Sequence, residues 1–412
     1  MSKVPQAPEI NIGMVGHVDH GKTTLTNRLT GEWTDRHSEE VKRGISIKLG
    51  YADAAFYKCE SEEGAKAYTV KETCEHCGRK TTLLRTVSFV DAPGHETLMA
   101  TMLTGASVMD GAILLIAANE KCPQPQTKEH LVALEISGID RIVVVQNKID
   151  LVTRDRAVES FREIKQFLKG TIAERAPVIP VSAHHDVNVD ALLEAVDKHI
   201  PTRQTDAGAP VRMYVSRSFD INRPGLRARE LRGGVFGGSL IQGTLRVGDR
   251  IEIAPGRRVE EEGRSRWENL ETVVTSLMVG GQSVEETHYG GLMAVGTSLD
   301  PSLTKADSLV GRMLGQPGSL PALLHKVTIE THLLDNVVGA GEEIKVDKIR
   351  TNELLMLSVG AATNVGTVRG MSGKNVDLDL KMPLCAEADE RVALSRRFGA
   401  RWRLIGHGLI IK

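Results

Sequence analysis

Apolar residues in the first half of the chain fall into short unbroken runs. Ile10–Val15, Val87–Asp91, Gly111–Ala117, Arg141–Gln146 and Val178–Val181 are each four to seven residues long. Runs this short, apolar at successive positions, predict strands buried on both faces. Between them lie longer stretches with apolar residues three and four apart, predicting helices at Lys22–Thr30, Pro125–Ser137, Asp155–Ala173 and Val189–Ile200. Strand and helix alternating in this way predict a parallel sheet covered by helices on both faces. In such a sheet, ligands bind beyond the carboxyl ends of the strands.

The pattern changes after Pro201–Pro210, a polar stretch that reads as a linker. Beyond it, glycine pairs at Gly233-Gly234, Gly237-Gly238, Gly280-Gly281 and Gly290-Gly291 punctuate short β-type runs such as Arg212–Phe219, Thr244–Ala254 and Leu292–Thr297. No helical period interrupts them, which predicts a β-barrel. A second break falls at Gly315–Pro321. Runs resume at His325–Thr331, Leu354–Val359, Thr367–Val368, Val376–Leu380 and Trp402–Ile411, predicting a second barrel. The expected architecture is therefore multidomain, α/β followed by all-β. Its domains are residues 1–206, with an insertion at 57–82, then 207–321 and 322–412.

Composition adds limits. Hydrophobic residues make up 41% and aromatics only 4%, so the cores must be mainly aliphatic. The longest strongly apolar run, Ala112–Ala118, is far too short to span a bilayer, and Met1–Pro8 lacks the apolar region of a secretion signal. Five cysteines, an odd number, fit a reducing compartment better than a disulfide framework, so a cytoplasmic location is expected. The net charge of −1 offers no global attraction to nucleic acid, but basic residues cluster. Arg212–Arg232 holds six arginines against two acids, and Arg391–Lys412 holds five arginines and one lysine with no acid. Each is either a phosphate-binding surface or a solvated face balanced by acidic neighbours.

The chemistry centres on Gly16-His17-Val18-Asp19-His20-Gly21-Lys22-Thr23. This is the G-x-x-x-x-G-K-[ST] spacing of a phosphate-binding loop, placed between a predicted strand and a predicted helix. Its glycines let the backbone wrap an oxyanion, and the helix N-terminus faces the phosphates. Lys22 would place a point charge on the outer phosphates, and Thr23 would give Mg²⁺ a hard oxygen ligand. Asp91-Ala92-Pro93-Gly94-His95 follows a strand, where Asp91 suits water-mediated Mg²⁺ binding and Gly94 can turn its N–H to a γ-phosphate. Asn147-Lys148-Ile149-Asp150 follows another. The Asp150 carboxylate can accept from both guanine N1–H and the exocyclic amine, a donor pair that adenine lacks. Ser182-Ala183-His184 ends a further strand and could offer a backbone N–H to the guanine oxygen. The expected nucleotide contacts are Asp19, His20, Gly21, Lys22, Thr23, Thr24, Asp91, Gly94, Asn147, Lys148, Asp150, Ser182, Ala183 and His184. Ser46, within Arg43-Gly44-Ile45-Ser46-Ile47, can complete the Mg²⁺ shell. Asp19 and the Gly44 carbonyl could hold a second cation, although Asp19 reads equally well as a turn aspartate bonded to its own backbone.

These motifs together resemble the translational GTPases related to elongation factor Tu. Further stretches, including Lys48–Ala52, Ala117–Glu120, Pro123–Thr127, Gly237–Gly243, Asp300–Asp307 and Gly399–Gly406, are similar to the archaeal family of gamma subunits of initiation factor 2. That resemblance implies GTP and GDP as ligands and a heterotrimer with alpha and beta subunits. It also implies carriage of initiator methionyl-tRNA to the small ribosomal subunit and release after GTP hydrolysis. By the same resemblance His95 would orient the attacking water, with Val18 and Ile45 gating it until the ribosome engages. Tyr51 could stack on the terminal adenine of the tRNA. The alternatives are another aminoacyl-tRNA carrier, either elongation factor Tu-like or selenocysteine-specific, and a GTPase subunit of an ATP sulfurylase.

One cluster stands apart. Cys74-Glu75-His76-Cys77 is half of a zinc knuckle, and Cys59 fits the other half. The resemblance places a fourth cysteine at position 62, where this chain has Glu62. Cys59, Glu62, Cys74 and Cys77 form one candidate Zn²⁺ set, with His76 as an alternative donor. An apo loop packed by its own cysteines and a redox pair at Cys74 and Cys77 are the other readings.

Overall fold

In the computed structural model β1 (Ile10–Gly16) is buried at all seven residues, as expected of a strand sandwiched between helical layers. The structure describes residues 4–33, 50–91, 99–203, 206, 208–223, 225–261, 264–338, 344–399 and 401–411. Two units are described separately, residues 1–203 and 204–412.

The first unit is built on a seven-stranded sheet. Besides β1 it contains β2 (Gly50–Lys58), β3 (Tyr68–Thr69), β4 (Thr82–Asp91), β5 (Gly111–Ala117), β6 (Ile142–Asn147) and β7 (Val178–Pro180), in the order β3-β2-β4-β1-β5-β6-β7. From β4 to β7 every pairing is parallel. The β2–β4 and β2–β3 pairings are antiparallel, so the sheet is parallel in its centre and mixed at one edge. Helix α1 (Lys22–Thr30) follows β1, and helices Met99–Ala106, Pro125–Ser137, Arg154–Leu168 and Val189–His199 follow later strands. One apolar cluster joins Ile10, Ile12 and Met14 of β1 to Leu25 and Leu29 of α1, Phe89 of β4 and Leu192, Leu193 and Val196 of the last helix. Burial of each such side chain contributes about 1.5–3 kcal/mol. The last helix is also tied to β4 by Arg85, which donates to the carbonyls of Ile200 (2.8 Å) and Val196 (3.1 Å) and so satisfies its C-terminus.

The second unit is all β. Its strands β8 (Arg212–Phe219), β9 (Val235–Gln242), β10 (Leu245–Arg246), β11 (Arg250–Glu261), β12 (Arg264–Val279), β13 (Gln282–Val284), β14 (Glu286–Thr287), β15 (Met293–Thr297) and β16 (Met313–Gly315) make the first barrel region. There the order is β11-β16-β8-β9-β15-β12-β13, and an added β11–β12 pairing closes six of these strands into a ring. Then β17 (Leu323–Leu333), β18 (Leu354–Val359), β19 (Ala362–Ser372), β20 (Asn375–Cys385), β21 (Arg391–Phe398) and β22 (Arg401–Ile410) close as β17-β20-β19-β18-β21-β22. The barrel interior is aliphatic, with Val327, Ile329, Leu355, Leu357, Val368, Leu378, Leu394 and Ile405 all nearly inaccessible. The two expected barrels are thus present, and closure leaves neither with a long free edge.

Candidate nucleotide site

The loop between β1 and α1 takes the backbone that its glycines permit. Gly16 has φ 143° and Gly21, capping the helix, has φ 94°. A Cβ on Gly16 would sit 2.4 Å from the Leu115 carbonyl oxygen, and one on Gly21 would sit 2.4 Å from Asn147 Nδ2, so a side chain fits at neither position. Two side chains of the Pro125–Ser137 helix hold the loop from behind. Gly16 N–H donates to His130 Nδ1 (2.8 Å), and Val18 N–H donates to Gln126 Oε1 (3.1 Å). His20 is fully buried, its Nδ1 3.0 Å from the Leu115 oxygen and its Nε2 3.4 Å from Glu120. Burial holds its pKa below the ordinary value. The His20 ring is thus a structural post, and the residue serves the loop through its backbone. Asp19 is exposed, in left-handed backbone at φ 61°.

At the α1 N-terminus the expected cation and phosphate groups come together. Lys22 Nζ donates to the carbonyls of Gly16 (2.9 Å) and His17 (2.8 Å), which pins the ammonium over its own loop. Thr23 Oγ1 donates to Asp91 Oδ2 (3.0 Å), joining two residues 68 positions apart. Asp91 is the last residue of β4 and fully buried. A hydroxyl and a carboxylate in contact beside a helix N-terminus form a hard-oxygen donor set suited to Mg²⁺. The other expected ligands, Gly44 and Ser46, lie outside the described residues, as do Arg43, Ile45, Gly94 and His95.

The base end is assembled by Asn147, the last residue of β6. Its Nδ2 donates to the His20 carbonyl (2.9 Å), and its Oδ1 accepts from Ala183 N–H (3.2 Å). One buried amide therefore ties the phosphate loop to the Ser182–Ala183 turn. Within the stretch expected to offer a backbone N–H to the guanine oxygen, that of Ala183 is already engaged by Asn147. Lys148 adopts left-handed backbone at φ 61°, leading into the short turn that carries Asp150. The Ser182 hydroxyl, donating to Asp150, holds that carboxyl below its ordinary value and ionised at neutral pH. His185 Nε2 lies 3.8 Å from Asp150, and its ring meets His184 edge-on, with centroids 4.8 Å apart. Tyr51, second in β2 and paired with Val90, is half-buried, and its hydroxyl oxygen is inaccessible.

The loop-backing residues Gln126 and His130, and the seating of Asp150 by Ser182, are functional features that motif spacing did not disclose. The helix itself was expected at Pro125–Ser137, but its contacts to the phosphate loop were not.

The cysteines converge as well. The sulfurs of Cys59, Cys74 and Cys77 all lie within 4.8 Å of one another, with Cys59 and Cys77 3.5 Å apart. Cys59 and Cys74 are buried and Cys77 is exposed. A tight turn presents the last two: Gly78 N–H donates to the Cys74 carbonyl (2.9 Å) and Cys74 N–H to the Arg79 carbonyl (2.8 Å). The Cys77 backbone N–H lowers the Cys74 thiol, favouring the thiolate. Glu62 and His76 are not members of this cluster. The three thiols fit three ligands of a zinc site, and the carboxylate expected to complete it is not brought in.

Residues 7–202 match the family Elongation factor Tu GTP binding domain, and residues 325–410 match Initiation factor eIF2 gamma, C terminal. The chain is 61% identical over 402 residues to the translation initiation factor 2 subunit gamma of Methanothermobacter thermautotrophicus, covering 98% of each chain. It is 59% identical over 410 residues to that of Methanococcus aeolicus, covering all of both, and 58% identical to that of Archaeoglobus fulgidus. Among solved structures, a bacterial selenocysteine-specific elongation factor superposes with a TM-score of 0.74 at 22% identity, over 98% of this chain and 58% of that one. Translation elongation factor SelB from Methanococcus maripaludis, in complex with a GTP analogue, gives 0.71 at 22%, over 99% of this chain and 80% of that one. At such identity these two structures speak for the fold alone.

Proposed function

The chain belongs to the family of translation initiation factor 2 gamma subunits, and on that premise we propose that it carries initiator methionyl-tRNA to the small ribosomal subunit in its GTP state. It is a translational GTPase. Our reading makes it the core of a heterotrimer with alpha and beta subunits, acting in the cytoplasm and releasing the tRNA after hydrolysis. No helix among the described residues is long and apolar enough to cross a membrane. Residues 1–206 would be the GTP-binding domain, 207–321 and 322–412 the two barrels.

The observation that carries the guanine-nucleotide part is the Asn147 amide, bonded to the phosphate loop on one side and the Ser182–Ala183 turn on the other. With the two ends held together, Asp150 would meet guanine N1–H and the exocyclic amine while Lys22 meets the outer phosphates. Thr23 and Asp91 would hold Mg²⁺, which when bound neutralises phosphate charge. His95 would orient the attacking water, with hydrolysis slow until the ribosome triggers it. Tyr51 would contribute to the tRNA surface, although its buried hydroxyl leaves only part of the ring for stacking. Zn²⁺ at Cys59, Cys74 and Cys77 would be structural, ordering the insertion.

Filter binding of initiator and elongator methionyl-tRNA, with GTP and with GDP, with and without the alpha subunit, tests this reading. GTP-dependent preference for the initiator species is expected. Equal binding in both nucleotide states would overturn the carrier role. His95→Ala is expected to lower ribosome-triggered turnover while leaving GTP binding intact, and unchanged turnover removes His95 from the mechanism.

A further inference from the structure

We propose that Cys59, Cys74 and Cys77 form a three-thiolate metal site whose fourth position is open and takes an exchangeable external ligand, a water that a small monothiol can replace. The proposal rests on the zinc reading of the cluster and specifies its coordination.

The spacing suits a metal. Zinc bound to sulfur at about 2.3 Å in a tetrahedron places its sulfurs roughly 3.8 Å apart. Here one pair is at 3.5 Å and all three are mutually within 4.8 Å. A closed structural site needs a fourth donor at similar range. Among the described residues no histidine, carboxylate or further cysteine places a ligand atom within 4.8 Å of all three sulfurs. Glu62 stands where the resemblance puts a cysteine, yet its carboxylate is not drawn in. His76 lies between Cys74 and Cys77 in the turn and is exposed. The remaining cysteines are placed elsewhere, Cys122 next to Pro123 with its N–H on Glu163 and Cys385 in the second unit.

Hydrogen bonds hold the loops that carry the cysteines. Cys59 N–H donates to the Ala67 carbonyl (2.7 Å), and Thr81 N–H to the Glu72 carbonyl (2.9 Å). Arg79 Nη1 donates to Ser61 Oγ (2.6 Å), tying the Cys59 loop to the segment after Cys77. Solvent reaches the cluster from the Cys77 side, since Cys59 and Cys74 are buried and Cys77 is exposed. Three fixed protein ligands with one solvent-facing position is the coordination of metal sites that keep an exchangeable ligand. A soft thiolate is the best match for the site's own donors.

The test uses the full-length protein, stripped of metal and reloaded with Co²⁺ under anaerobic conditions with a phosphine reductant. Titration with 2-mercaptoethanol is expected to raise the thiolate-to-cobalt charge-transfer band by roughly one-third, as a fourth thiolate joins three. The visible bands shift along the same saturable curve. Glu62→Gln should leave the spectrum unchanged. Glu62→Cys should show the stronger band from the start, ignore the added thiol, and hold zinc at least about tenfold more tightly in chelator competition. Cobalt that binds the wild-type protein but ignores 2-mercaptoethanol overturns the open position, as does a spectrum altered by Glu62→Gln. No cobalt binding to wild type at all overturns the zinc reading and the proposal with it. Should Glu62→Cys not fold, the wild-type and Glu62→Gln titrations decide alone.

Discussion

Asn147 shows what a single side chain contributes to the site. Its amide donates on one side and accepts on the other, and both partners are backbone groups of phosphate-site or base-site loops. Replacement by alanine leaves a buried N–H and a buried carbonyl short of a partner, at about 1–3 kcal/mol each. Asn147→Ala is therefore expected to weaken GTP and GDP alike by tenfold or more, read as faster release of a fluorescent guanine nucleotide. A change confined to one nucleotide would contradict a latch that joins both ends. Asp150→Asn acts differently, leaving the scaffold intact while turning one of the two acceptor oxygens into an NH2 donor that one guanine N–H then faces. It should cost GTP on the order of 2–3 kcal/mol, about a hundredfold, and favour xanthine nucleotide. GTP affinity equal to wild type would refute the guanine assignment. The placement of Asp150 just beyond β6 was legible in the spacing of Asn147, Lys148 and Asp150, and its proposed guanine role rests on residue type. The backing by His130 and Gln126 was not legible, because these contacts join residues more than a hundred positions apart through the fold alone.

At the scale of elements, the parallel centre of the sheet was legible because strands buried on both faces must be continuously apolar. Its edge was not. Gly50–Lys58 mixes two tyrosines and an aspartate with alanines, giving neither a solid run nor a clean alternation. Helix Met99–Ala106 was also missed, its eight residues including a glycine and two threonines. Asp53 of β2 makes this edge pH-sensitive. Burial pushes its carboxyl from 3.8 up to about 6, with the Ser88 hydroxyl opposing and the Glu32 charge adding to the shift. The folded chain thus prefers the protonated form. That preference contributes fully to stability below about pH 3.8 and is lost as pH rises through about 6. At neutral pH the ionised group costs roughly 2 kcal/mol, one pKa unit being worth about 1.4 kcal/mol and partial exposure reducing the effect. Asp53→Asn is expected to raise the first unfolding transition by a few degrees at pH 7.5 and by nothing at pH 4. An equal gain at both pH values, measured by calorimetry, would mean that the charge is not the cause.

For the whole molecule, strand runs and glycine punctuation sufficed for the barrels, whereas the use of their surfaces depends on which arginines are already committed. The Arg212–Arg232 stretch divides on that basis. Arg212 pairs with Glu387 at 2.6 Å and Arg217 with Asp307 at 3.0 Å, so both are spent on the fold. Arg223, Arg227, Arg229 and Arg232 are exposed, and Ile221, Leu226 and Leu231 among them are more than 40% exposed. A surface that only gathers phosphates has little use for three exposed aliphatic side chains, whereas a protein interface places apolar residues at its centre and arginines around them. We propose that the loop docks a protein partner, by family resemblance the alpha subunit, in preference to tRNA phosphates. Replacing Arg223, Arg229 and Arg232 together by alanine should weaken alpha-subunit binding by at least about tenfold. The chain assayed alone should keep the same salt dependence of tRNA binding. Were these arginines phosphate contacts, the slope of log affinity against log salt would fall by roughly 0.7–0.9 for each one lost. A flattened slope with alpha-subunit affinity unchanged would assign the surface to tRNA.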